Sequence, residues 1–216
     1  MKRVAIAVSS LVFLCSGICV AQEDDALSVA RTFLPPNSAI ATLNTYDPAE
    51  GRVVGSPPAV FRAHILTGKS NDIVFAYRTG EGDSYHNSMF ICLLHRTHSG
   101  YVKLFELTYY GKMLWSQDFR TVGLQMVTAP GSSTEMIAVT TAIGASLGGR
   151  LEIFKWDSDQ GLINLMPGNG GLHHLTFSQD KGGFTVSLGF AKYEGEKGAP
   201  EPVVFKWTAG SFAKVR

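Results

Sequence analysis

The sequence predicts an all-β chain behind a short N-terminal helix. Three observations predict it. From Val60 onward, short runs of Val, Ile, Phe, Tyr, Leu and Thr alternate with glycine-rich turns. No stretch beyond residue 60 offers a long helical pattern free of strand formers. The runs also recur at a spacing of roughly 47 to 64 residues, which is the texture of repeated hairpins. Composition agrees with a folded chain. Apolar residues make 45% of 216, and 19 Lys plus Arg nearly balance 18 Asp plus Glu. Such totals exclude a disordered tail, and the 23 glycines show no collagen period. Near-neutral charge with scattered basic residues also argues against a nucleic-acid partner held through general positive charge.

The first element reads as an export signal. Lys2 and Arg3 precede an uncharged stretch from Val4 to Ala21, and Glu23, Asp24 and Asp25 follow at once. A basic start, an apolar centre and a small residue at Ala21 describe a secretory signal peptide spanning 1–21. Eighteen residues diluted by Ser9, Ser10, Ser16 and Gly17 make a poor permanent anchor, so no stable membrane span is expected after processing. The expected location is secreted or periplasmic. Cleavage would leave 195 residues, with 17 basic groups against 18 acidic ones and Cys92 as the one cysteine. No internal disulfide is then possible. Cys92 lies in the apolar run Met89–Leu94, which predicts a buried core thiol.

Residues 22–59 are expected to form a helix and a lead-in. Asp24 to Phe33 suits a short helix, with acids at its positive end and Arg31 near its negative end. Pro35 and Pro36 stop it. Ala39 to Thr45 is a strand candidate, and the remainder, punctuated by Pro48, Gly51, Gly55, Pro57 and Pro58, reads as loop. The main domain is expected over 60–216. Its strand candidates are 60–66, 72–78, 88–95, 101–109, 112–118, 121–127, 135–142, 150–156, 161–165, 172–177, 183–191, 202–207 and 211–215.

Two kinds of unit alternate. The first occurs at 60–79, 122–143 and 171–191. The second bears aromatics and occurs at 102–119, 151–165 and 202–215, with Phe154-Lys155-Trp156 echoed by Phe205-Lys206-Trp207. Repeats of about 60–119, 120–167 and 168–216 predict three consecutive four-stranded antiparallel blades, as in a propeller. Four-stranded sheets of this size bury their apolar faces by stacking. An open stack leaves two end faces, so the N-terminal segment is expected to cap one, with a homodimer as the next possibility.

The turns Leu66-Thr67-Gly68-Lys69-Ser70-Asn71-Asp72-Ile73-Val74, Thr128 to Ile137 and Ser178 to Phe184 carry a family likeness. With Leu151 to Asp157 and the opening Phe33 to Ile40, they resemble the FG-GAP or VCBS-type blades of integrin-like β-propellers, whose turns read Asp-x-Asp-Gly-Asp-Gly before an acid and an apolar run. That resemblance implies a propeller and calcium loops. The departures imply that calcium is not held: Asp72, Glu135 and Asp180 each stand nearly alone, and calcium needs clustered oxygen ligands. No cofactor and no metal are expected.

Gly68-Lys69-Ser70 lacks the earlier glycine and following helix of a phosphate loop. Gly144-Ala145-Ser146-Leu147-Gly148 has nucleophile-elbow spacing, with Asp157 or Asp159 and His173 or His174 in suitable order. A strand rather than a helix is expected after it, so a serine hydrolase using Ser146 is the minor alternative. His95 and His98 flank a turn and could converge, with Asp83 or His86 beside them, and tetrahedral zinc would need three or four ligands. Tyr77, Tyr85, Tyr101, Tyr109 and Tyr110 form an aromatic-rich centre, a possible ligand surface. The function expected is a secreted, non-enzymatic domain presenting loops or blade edges to a protein or polysaccharide ligand. The main alternative is an assembly subunit pairing through an exposed blade face.

Overall fold

A computed structural model describes residues 26–43, 45–47, 52–55, 57–79, 88–110, 123–142, 149–166, 174–180, 183–189, 203–208 and 210–215. The export segment 1–21, the strand candidate 112–118, and Tyr85, Ser146 and His173 lie outside them.

Residues 26–32 are helical. Phe33 and Leu34 close the last turn through bonds from their N–H groups to the carbonyls of Ala30 (3.1 Å) and Arg31 (3.3 Å). Pro35 and Pro36 then forbid continuation. Asn37 turns the chain at φ 59°, a conformation its short polar side chain tolerates. Among the described residues no helix is long and apolar enough to cross a membrane.

The strands are β1 (Ser38–Ile40), β2 (Thr45–Asp47), β3 (Arg52–Gly55), β4 (Val60–Ala63), β5 (Asp72–Thr79), β6 (Ser88–Thr97), β7 (Gly100–Tyr110), β8 (Gly123–Thr128), β9 (Glu135–Ala142), β10 (Gly149–Asp157), β11 (Gly161–Asn164), β12 (His174–Asp180), β13 (Gly183–Gly189), β14 (Val203–Thr208) and β15 (Ser211–Lys214). The first sheet runs β1-β5-β6-β7, with β4 also on β5. The second runs β11-β10-β9-β8 and the third β12-β13-β14-β15, while β2 and β3 form a small ribbon. All pairings are antiparallel.

The propeller expectation is corrected by this topology. The sheets are separate, with five, four, four and two strands, and none closes or curls into a ring. The predicted units are also unequal. β5 has eight residues and β4 only four, so β4 occupies the edge beside Asp72 to Phe75 and β1 fills the rest beside Tyr77 to Thr79. The lead-in thus belongs to the first sheet, and the FG-GAP or VCBS likeness does not hold. The repeating texture recorded successive antiparallel hairpins, which have the same sequence period whether or not sheets join into a ring. The lead-in also contains β2 and β3, where a loop was expected.

Packing follows the alternation of the strands. On one face of the first sheet, Val74, Ala76, Met89, Ile91 and Leu93 meet Leu124, Ile137, Val139 and Phe154 of the second. The other face of the second sheet, with Met136, Ala138, Leu151 and Ile153, packs on Phe205 and Phe212 of the third. The outer face of the first sheet carries Ile73, Phe75, Tyr77, Cys92 and Leu94. Ala26 and Ala30, one helical turn apart, bring the helix down onto it, flanked by Val29 and Phe33. This is the cap expected of the N-terminal segment. Both faces of β5 are therefore covered, and Ile73 to Ala76 are each wholly buried. In the third sheet, Phe205 and Phe212 are buried against the second sheet with Trp207 beside them, and Val204 and Lys206 alternate with Phe205 along β14.

Candidate functional site

The turn between β4 and β5 is built around one carboxylate. Asp72 is wholly buried. Its Oδ2 accepts from the N–H of Ile65 (2.8 Å), the N–H of Leu66 (3.0 Å) and the hydroxyl of Ser70 (2.5 Å). Its Oδ1 meets Nδ1 of His95 at 2.8 Å, directly across the ladder. A buried carboxylate is tolerable only when hydrogen-bonded in this manner. The same turn reaches the second sheet. His64 N–H donates to Glu135 Oε2 (2.7 Å), and Glu135 N–H donates to the His64 carbonyl (2.8 Å).

This cluster contains Ser, His and Asp, but its wiring is wrong for nucleophilic catalysis. The Ser70 hydroxyl lies against the carboxylate, 2.5 Å away. An activated serine gives its proton to the histidine, which the acid orients from behind. Asp72 therefore serves the turn: it gathers two backbone amides, one hydroxyl and one ring. The Gly68-Lys69-Ser70 segment is a tight turn, with Ser70 N–H on the Thr67 carbonyl at 3.0 Å and β5 following. Among the described residues no group of three His, Cys, Asp or Glu side chains could hold a metal ion. Asp157 is occupied within its own hairpin, where its Oδ1 accepts from the N–H groups of Asp159 (2.9 Å) and Gln160 (3.0 Å) in the β10–β11 turn.

The structure divides the five tyrosines. Tyr77 is buried beneath the helix, stacked on Phe90 at 4.8 Å, and its hydroxyl donates to Glu106 Oε2 at 2.8 Å. Burial, with the Glu106 carboxylate beside it, holds its phenol well above the ordinary value. Tyr109 is buried in the core between the first and second sheets. Those two are core residues, which corrects their place in a ligand surface. The side chain of Tyr110 and all of Tyr85 lie outside the described residues. Tyr101 remains. Its ring is half-buried against the helix, and it lines an open depression of about 410 Å³ with Ser28, Val29, Thr32 and Phe33.

Charged and polar groups surround Tyr101. Arg62 Nη1 donates to Asn71 Oδ1 (3.0 Å) and reaches the Tyr101 hydroxyl at 3.5 Å; that hydroxyl reaches Asn71 Oδ1 at 3.4 Å. The exposed Arg96, paired opposite Tyr101 in the β6–β7 hairpin, places its guanidinium carbon 5.7 Å from the ring centre. Arg62, Asn71 and Arg96 are the residues that the sequence reading missed. Their signal lies in register: Arg96 and Tyr101 flank the turn Thr97 to Gly100 symmetrically, so a hairpin there makes them partners. Comparison with family models, curated proteins and solved structures finds no match for the chain.

Proposed function

We propose that this protein is an exported, non-enzymatic binding domain whose ligand, a protein or a polysaccharide, docks in the groove at Tyr101. One observation carries the reading: of the tyrosines singled out, Tyr101 is the one whose described side chain lines a surface depression, with hydroxyl and apolar residues of the helix opposite. Binding sites combine apolar walls with a few placed polar groups. The basic start and apolar stretch of residues 1–21 support export. The test is an array of polysaccharides and peptides probed with labelled mature chain and with Tyr101→Ala. Retention on a ligand, abolished in Tyr101→Ala with unchanged circular dichroism, is the expected result. Retention equal in the two proteins refutes the groove as the site.

A further inference from the structure

We propose that the N-terminal helix is a detachable strap: residues 26–34 leave the first sheet as one unit, swinging about Pro35 and Pro36, while the sheets stay folded. The helix is held down by apolar contact. Ala26 and Ala30 are buried on the sheet, with Val29, Phe33 and Leu34 partly buried beside them. Alanine buries little apolar area, so the docking is weak for the surface it covers. Among the described residues no hydrogen bond or ion pair crosses from 26–34 to a strand. Thr32 Oγ1 donates to the Val29 carbonyl at 2.8 Å, and the N–H groups of Phe33 and Leu34 donate to Ala30 and Arg31. Residues 26–32 also fall short of the roughly 12–15 at which a helix stands alone, so the strap loses its helical form on leaving.

The sheet keeps its own bonds without the helix. β5 remains paired with β1, β4 and β6, and Val74, Ala76, Ile91 and Leu93 still pack on the second sheet through the opposite face. The joint is equally distinct. Pro35 and Pro36 interrupt the helix, Asn37 turns at φ 59°, and β1 is pinned to β5 from Ser38 onward. Movement before Pro35 therefore need not pull on the strand that follows. Contiguous segments with few buried contacts are the ones that open below the global unfolding limit. Opening would uncover Ile73, Phe75, Tyr77, Cys92 and Leu94. It would also take the depression apart, because Ser28, Val29, Thr32 and Phe33 leave while Tyr101 stays on β7. The strap thus makes or unmakes that surface, whatever the surface binds.

The test reads the Cys92 thiol and the strap amides. Mature parent chain, Ala30→Glu and Ser28→Glu are treated with a thiol reagent, without urea, at about pH 8, where an exposed cysteine is partly ionised. Ala30 is wholly buried and Ser28 exposed, so a carboxylate opposes docking at the first position and not at the second. Ala30→Glu is expected to label at least about a hundredfold faster than the parent while keeping its strand dichroism, and Ser28→Glu to label as the parent does. A folded Ala30→Glu whose thiol stays protected overturns the strap as the cover of Cys92, and so does Ser28→Glu labelling as fast as Ala30→Glu. Hydrogen exchange on the parent chain decides the matter if Ala30→Glu fails to fold. The Phe33 and Leu34 amides are expected to exchange at least about tenfold faster than those of Val74 and Phe75, with little dependence on low urea. Exchange of all four at one rate and one urea slope would mean that the helix leaves only on global unfolding, and overturns the proposal.

Discussion

Replacing Asp72 should damage the fold more than replacing any other residue of its cluster. Asp72→Ala removes the acceptor of two backbone amides, one hydroxyl and one ring nitrogen. The four losses are unequal. Ser70 Oγ already has the Thr67 carbonyl at 2.8 Å, so its hydroxyl has a second acceptor. The His95 side chain is 29% exposed and can turn to water. The amides of Ile65 and Leu66 have no such recourse, because Ile65 is buried and the turn holds both. Each orphaned buried donor costs about 1–3 kcal/mol, so Asp72→Ala should cost about 3–5 kcal/mol in all. Asp72→Asn keeps an oxygen for the amides and should cost about 1–2 kcal/mol. His95→Ala should cost less than Asp72→Ala, since it leaves the three other bonds in place. Urea unfolding of the mature chain measures all three, and a shifted midpoint at constant slope reports stability alone. An Asp72→Ala midpoint within about 0.5 kcal/mol of the parent would refute the role given to this carboxylate.

Three further predictions rest on separate contacts. Burial, reinforced by Glu106, pushes the Cys92 thiol up to about 12. Its folded value therefore exceeds its unfolded one, so the stability it contributes is complete below the ordinary thiol range and is lost as pH rises from about 9 toward about 12. Denaturation midpoints across that window should fall less steeply in Cys92→Ala, and native Cys92 should resist a thiol reagent until urea is added. A Cβ added at Gly68 would lie 2.5 Å from Ser133 Cβ and 2.8 Å from the Ser133 carbonyl oxygen. Gly68→Ala should cost about 1–3 kcal/mol, with partial rescue by Ser133→Gly in calorimetry; full stability in the single variant would contradict the contact. Tyr77→Phe removes the bond to Glu106 and should cost about 0.5–1.5 kcal/mol while leaving near-ultraviolet dichroism native-like; a collapse of that signal would show that the hydroxyl does more than bond Glu106.

Strand positions were legible in the sequence where pairing was not. The run Ile73-Val74-Phe75-Ala76-Tyr77 announced a strand, and its lack of polar alternation also meant that both faces would be covered. That hint places Tyr77 inside, against its use as a surface residue. An N-terminal cap over one end face was expected, but the sequence did not show which sheet it covers or through which residues. Val29 and Phe33 have helical spacing, but nothing local says that they flank the core on the outer face of the first sheet. The Asp72–His95 pair was hidden for a similar reason. Twenty-three positions separate the two, and only the register of β5 on β6 makes them neighbours. Lone acids read as failed calcium ligands were in truth acceptors for backbone amides, as Asp72 and Glu135 show. The period of the hairpins was real, yet periodicity reports local folding units and is silent on closure.

The first two sheets each serve as a wall between two cores. β9 shows this most plainly: Ile137 and Val139 belong to the core shared with the first sheet, and Met136 and Ala138 to the core shared with the third. Consecutive residues of one strand therefore answer to different partners. Loss of the third sheet would strip one side of β9 while the other stayed dry. The strand would then be held by half its contacts, and its failure would reach the helix-covered sheet through Leu93 and Ile91. Unfolding should thus spread along the stack as a single cooperative event, with amide exchange in β5 and β9 slowing to the same limit.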